Sequence, residues 1–180
     1  SYKKCLKIVD KKLKVFYNQN IQNSYHYKLV IVIRLRRRFG FMNQNKFTEN
    51  SLLALSEAQA MAMKFRQQSI KPEFLALALL KNSEGLIPRI MEKLELNLNY
   101  IIGQIENEVN KFPRIEGNNL GDVTLDQSTH RVLIEAENLM EKLGDSYISV
   151  EHLFWALIKE MPLLRKLGID EKKYEAAVKE

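Results

Sequence analysis

Cysteine is almost missing from this chain of 180 residues: Cys5 stands alone. No intramolecular disulfide can form, a cysteine-based metal site is disfavoured, and the body of the chain has no Cys–His nucleophile. A reducing, cytoplasmic setting is expected from that usage. Long apolar runs are missing as well. The longest near the N-terminus, residues 29–33, is too short to cross a bilayer or to form a signal-peptide core, so no membrane partner is expected. The three histidines, His26, His130 and His152, include no H-x-x-x-H pair. No G-x-S-x-G elbow and no G-x-x-x-x-G-K-[ST] phosphate loop occurs, so neither a serine hydrolase nor a nucleotide-binding site is expected, and no catalytic residue is assigned.

What is present is unevenly spread. Residues 1–41 carry eleven Lys or Arg against one Asp, whereas residues 42–180 carry 17 basic and 21 acidic side chains. The net charge of +6 therefore belongs to a basic leader, and the body is mildly acidic. The leader has no sustained amphipathic period and ends at Met42. We expect Met42 to be the natural start, with Arg37 and Arg38 encoded by a purine-rich ribosome-binding sequence read in frame. The alternative is a basic arm that binds nucleic acid by neutralising phosphates.

The body contains a repeat. Moved by 78 positions, residues 48–81 fall on 126–159 without a gap, and ten of the 34 pairs are identical. Unrelated segments would share about two, so this is a duplicated unit. The identities include Leu55/Leu133, Ala58/Ala136, Ile70/Ile148, Glu73/Glu151 and Leu75/Leu153. Each copy reads as two helices. Leu55, Ala58, Ala62 and Phe65 recur at helical spacing, as do Leu133, Ala136, Met140 and Leu143. Thr48 and Asp126 are placed to cap the first helices. Pro72 and Ser149 open the second ones, with Glu151 in the first turn of the second copy. Further helices are expected over 86–94, 98–112 and 171–179, GNNLGD (117–122) reads as a linker, and almost nothing reads as strand. The fold expected is all-α: two tandem helical repeats, about 48–112 and 126–180, packed with pseudo-twofold symmetry so that each supplies half of one core.

FTENSLLALSEAQAMA, IKPEFLALALL and DSYISVEHLFWALI resemble the N-terminal domain of the Clp-family AAA+ chaperones, over residues 42 to about 179. NKFPRIEGNNLGDV between the copies looks like the ClpB-type disaggregases. The resemblance implies a substrate-recognition domain that binds unfolded or aggregated polypeptide for disaggregation. It also implies a flexible tether to two ATPase modules, a hexameric parent using ATP and Mg, and DnaK-type partners. This fragment itself would be a monomer without a cofactor. Two alternatives remain: docking of an adaptor, as in the protease-associated unfoldases, or nucleic-acid binding through the leader.

For the site, a groove is expected where the copies meet, beside Leu52, Leu53, Leu133 and His152. Phe74/His152, Ala76/Phe154 and Leu77/Trp155 differ between the copies, so some are expected to face the seam or solvent. The methionines of the body, Met61, Met63, Met91, Met140 and Met161, are expected to be mostly core. The resemblance adds Thr48, Asp145 and Glu151, each of which also has a purely structural use as cap, turn residue or first-turn carboxylate.

Overall fold

The computed structural model describes residues 44–116 and 123–179. The basic leader, Met42 and the GNNLGD linker lie outside the described residues. A short 3-10 turn, Gln44–Lys46, precedes α1 (Glu49–Lys64), β1 (Ser69–Ile70), α2 (Pro72–Lys81), α3 (Leu86–Lys93) and α4 (Leu98–Asn110). The second half runs β2 (Thr124–Leu125), α5 (Gln127–Leu143), α6 (Val150–Glu160), α7 (Pro162–Lys166) and α8 (Glu171–Lys179). The fold is all-α, as expected. Helix α7 was not foreseen, since five residues are too few to leave a periodic pattern.

The helices begin where capping chemistry predicts. Thr48 Oγ1 accepts the Ser51 N–H at 3.3 Å, and Asp126 Oδ1 accepts that of Ser128 at 2.9 Å. Pro72 occupies the first turn of α2, where its missing N–H has no helical partner to lose. Both first helices end in a left-handed residue, Arg66 (φ 55°) and Gly144 (φ 77°). The bonds that close these ends match at the repeat spacing: Gln67 N–H to Ala62 O, and Asp145 N–H to Met140 O.

Helices α2 and α6 are apolar almost all round, and they pack together at the centre. Phe74, Ala76, Leu77, His152, Phe154 and Trp155 are all at most 2% exposed. Of the two places expected for these divergent pairs, the seam or solvent, burial excludes solvent. They differ because each copy meets different neighbours inside the core. In the second copy, Phe154 and Trp155 lie 5.5 and 6.4 Å from the ring of Tyr174 on α8. Tyr174 donates its hydroxyl to Glu151 O, and Trp155 Nε1 donates to Glu171 Oε1. Ile101 on α4 occupies the corresponding place in the first copy and is equally buried. Of the methionines, Met91, Met140 and Met161 are core, Met61 is half-buried, and Met63 is exposed.

The duplication extends past the second helices, but with a changed spacing. Asn97 Oδ1 accepts from Tyr100 N–H, and Asp170 Oδ1 from Lys173 N–H. Leu96 N–H reaches Met91 O, and Ile169 N–H reaches Leu164 O. These pairs stand 73 residues apart instead of 78, because α7 follows α6 after Met161 alone, whereas four residues separate α2 from α3, and because α7 has five residues where α3 has eight.

The copies are interlocked rather than merely stacked. Strand β1, from the first copy, pairs in parallel with β2, which leads into the second. The symmetry-related bridge joins Phe47 to Ile148. Around them the bonds repeat: Thr48 N–H to Ile148 O (3.0 Å) with Asp126 N–H to Ile70 O (3.1 Å). Likewise Ser51 Oγ donates to Ile148 O at 2.8 Å, and Thr129 Oγ1 to Ile70 O at 2.6 Å. Ser51 and Thr129 are both fully buried, so these hydroxyls have no solvent alternative.

Candidate functional site

Several residues singled out in the sequence gather around the turn 145–149. Ile148 is the hub: its carbonyl receives the Thr48 N–H and the Ser51 hydroxyl, and its N–H donates to Lys46 O at 2.6 Å. Thr48 thus joins the cap of α1 to the segment that opens α6. On the other side of that segment, His152 Nδ1 accepts the Ser149 N–H at 3.0 Å and lies 2.8 Å from Ser149 Oγ. This is the reach-back of a capping box with histidine in the place usually held by Glu or Gln. With Nδ1 accepting, the ring proton belongs on Nε2, which lies 3.0 Å from Asp145 Oδ2. The two atoms are close, but the approach is off the axis of a well-formed hydrogen bond, so the contact is electrostatic more than directional.

Ser149, His152 and Asp145 are arranged like a hydrolytic triad, yet the geometry describes a cap. The imidazole nitrogen facing Ser149 is engaged by a backbone N–H, and His152 is 1% exposed, leaving a substrate no path to it. What the arrangement does is lock the turn 145–149 onto the start of α6. Asp145 itself is exposed, as are Gly144, Ser146 and Tyr147.

Leu52 stands one helical turn beyond Thr48, its N–H bonded to Thr48 O, and both Leu52 and Leu53 are half-buried. Leu133 is only 3% exposed. Leu133 and His152 therefore belong to the core and supply no open wall of a groove, a correction to the expectation that both would line one. Burial follows from their positions: Leu133 lies on the inner face of α5, and His152 folds back over the first turn of α6. Glu151 is half-buried, and its backbone carbonyl accepts from Tyr174. Ser51 was not foreseen, and Ser149 was read only as the residue that opens α6, not as the partner of His152. The hydroxyl pair Ser51/Thr129 at the repeat spacing was the available signal for the first.

Glu73, the repeat mate of Glu151, has a different setting. One of its carboxyl oxygens is buried without a hydrogen-bond partner, and burial raises its pKa above the ordinary carboxylate value. Asp126 lies nearby with the opposite tendency. Burial acts to raise it, but bonds from Ser128 and the charge of Lys71 outweigh that and hold it below the usual value. Among the described residues no group of His, Cys, Asp or Glu is placed to hold a metal ion. A cavity of about 490 Å³ lies elsewhere, beside Pro88, Arg89, Glu92 and Leu96, and includes none of the site residues. No helix among the described residues is long and apolar enough to cross a membrane.

Residues 46–167 match the Clp repeat (R) N-terminal domain. The chaperone protein ClpB of Nitratidesulfovibrio vulgaris is 35% identical over 121 residues, which is 66% of this chain and 14% of that protein. The chain thus spans about one seventh of the relative's length. In structure it is similar to the Hsp104 N-terminal domain of Candida albicans, with a TM-score of 0.65 at 14% identity, covering 73% of this chain and 88% of that one. A ClpV N-domain in complex with a VipB peptide gives a TM-score of 0.58 at 16% identity, covering 86% and 89%. At these identities the structural likenesses speak for the fold alone.

Proposed function

The chain belongs to the Clp repeat N-terminal domain family, and from that premise we propose that it is the recognition domain of a ClpB-type chaperone, binding unfolded or aggregated polypeptide. The observation that carries the reading is the surface at the interlock. Leu52 and Leu53 are half-buried beside the Thr48 cap, and the exposed Asp145 stands across the Ile148 segment from that cap. Partly exposed apolar side chains near a carboxylate suit weak capture of many sequences, since apolar contact tolerates variation in the partner. Weak capture also serves a domain that passes its client onward. In this reading ATP, Mg, the hexamer and DnaK-type partners belong to the longer parent protein.

Docking of one folded adaptor is the second reading, favoured by the peptide complex of the ClpV N-domain. Fluorescence anisotropy with labelled, reduced and carboxymethylated α-lactalbumin, against the native folded form, separates the two. The chaperone reading expects saturable binding of the unfolded form in the range of about 10–100 μM, where ΔG is roughly −5.5 to −7 kcal/mol. It also expects weakening by Leu52→Asp and Leu53→Asp at unchanged melting temperature. Equal affinity for both forms, or none for either, would overturn it.

A further inference from the structure

The peptide unit that joins Ile148 to Ser149 is bonded at both of its ends, by different parts of the molecule. Its carbonyl accepts the Thr48 N–H at 3.0 Å and the Ser51 hydroxyl at 2.8 Å, both from the first repeat. Its N–H donates to His152 Nδ1 at 3.0 Å, within the second repeat. One planar amide therefore connects a buried imidazole to the bonds that tie the copies together. The first repeat has the same seam bonds on the Ile70 carbonyl, from Asp126 N–H and Thr129 Oγ1. At the place of His152, however, it has Phe74, which cannot titrate.

The imidazole is set so that a proton changes its partners. In the neutral ring Nδ1 keeps a lone pair for the Ser149 N–H, and the hydrogen is on Nε2. A further proton occupies Nδ1, so that two donors face each other across 3.0 Å and the reach-back of the cap is lost. An amide whose N–H is bonded has a more polarised carbonyl, so losing the Nδ1 acceptor also weakens the bonds from Thr48 and Ser51. The charged ring has other partners in place. Ser149 Oγ lies 2.8 Å from Nδ1 and can accept its hydrogen, and Asp145 Oδ2 lies 3.0 Å from Nε2. Nε2 is buried without a well-formed hydrogen bond, so the nearby carboxylate serves the charged ring better than the neutral one. We propose that His152 is a proton-sensitive latch on the seam. Protonation exchanges the Ser149 N–H bond for the Asp145 carboxylate and loosens the hold of Ile148 on the start of α1. The latch goes beyond the recognition reading and does not depend on it.

The other ionisable groups at this end of α6 are Glu151 on the helix itself, Glu49 after the Thr48 cap, Tyr174 and Lys46. Tyr174 donates to Glu151 O, and burial raises its pKa well above the ordinary value, so it stays neutral throughout. The Lys46 carbonyl takes the Ile148 N–H, while its ammonium is held by Glu137 with Glu141 close by on α5. The remaining charges on elements packed against α6 are engaged elsewhere. Arg131 and Glu135 of α5 pair with Glu160 and Lys159 at the far end of α6, where Arg165 of α7 also donates. On α8, Glu171 accepts from Trp155 and Glu175 pairs with Lys179. Arg89 and Glu92 of α3 line the cavity, and α2 has no ionisable residue between Glu73 and Lys81.

The test is a titration of the full chain, labelled with nitrogen-15, from about pH 8 to about pH 5, across the ordinary imidazole range. The His152 ring protons and the backbone amides are followed in the same samples. The Ser149 and Thr48 amides are expected to shift with the midpoint of the His152 ring. Protection of the Ser149 amide against exchange should fall about three- to tenfold across that step, once the intrinsic rate is allowed for. His152→Gln keeps an acceptor for the Ser149 N–H without titrating and should abolish both steps, whereas His130→Gln should leave them. Asp145→Asn deprives the charged ring of its carboxylate, so its melting temperature should fall further below the parent's at acid pH than at pH 8.

A His152 ring that titrates while Ser149 and Thr48 stay in place would overturn the proposal. So would a ring that takes up no proton down to about pH 5, or amide steps that survive in His152→Gln. The first two are read on the unaltered chain, so they decide the matter even where His152→Gln fails to fold.

Discussion

Glu95 and Gly168 occupy the same place in the two copies, the left-handed residue that ends the third helix of each, yet only one is glycine. Glu95 adopts φ 57° and Gly168 φ 92°. A side chain at positive φ brings its Cβ against the following carbonyl, a strain that glycine escapes. The second copy is in effect the engineered variant of the first. Glu95→Gly is therefore expected to stabilise the fold by about 0.5–1 kcal/mol, after the greater chain entropy of unfolded glycine is counted. Urea denaturation reads this directly: the midpoint should rise with an unchanged slope, and a fall would mean that the Glu95 side chain makes a contact worth more than the strain. Arg66, also at positive φ, is a poorer place for the same experiment. Its carbonyl holds the Ile115 N–H, so altering its backbone freedom would disturb two effects at once.

At the scale of the helices, most of the fold was legible and the reasons are specific. Thr48, Asp126, Pro72 and Ser149 mark helix starts because each answers a local need of unpaired backbone N–H groups, and local needs are written locally. The site was less legible, because its geometry is set by partners far apart in sequence. Nothing near His152 announces that its ring turns back to the Ser149 N–H, and nothing near Leu133 distinguishes a core leucine from one on a groove. The divergence of α2 and α6 misled for the same reason: a helix buried on every side carries no polar stripe to orient it. Helix α2 also carries a titration that can be checked. Burial raises Glu73 above its unfolded value near 4.5, so the folded state holds that proton more tightly than the unfolded state does. The resulting destabilisation is absent below the unfolded pKa, grows as pH rises through the interval up to the folded pKa, and is constant above it. Glu73→Gln should consequently gain stability on the parent from about pH 4.5 toward neutrality. Thermal melts from pH 4 to 8 test this, and a stability difference independent of pH would show that Glu73 titrates as it does in the unfolded chain.

Across the whole molecule, neither copy completes its own hydrogen bonding. The carbonyl of Ile70 is bonded by Asp126 and Thr129 of the second copy, and that of Ile148 by Thr48 and Ser51 of the first. Helices α2 and α6, apolar on nearly every face, bury each other. A half produced alone would expose a central helix, leave a buried-type hydroxyl and a strand carbonyl without partners, and have too small a core to compensate. Two peptides, residues 44–116 and 123–179, should therefore be largely unfolded separately and fold on mixing. The chain's only tryptophan, Trp155, makes this easy to follow, because it lies in the second half and is 2% exposed in the intact fold. Its emission should be that of a solvated indole in the isolated half and shift to the blue as the first half is added, saturating at one to one with a parallel gain in helical circular dichroism. Folding coupled to association in this way makes the stability of the pair depend on concentration. A blue-shifted Trp155 and full helicity in the second half alone would mean that the twofold arrangement joins two self-sufficient units, and that the exchange of strands and hydroxyls between copies is not what holds the fold together.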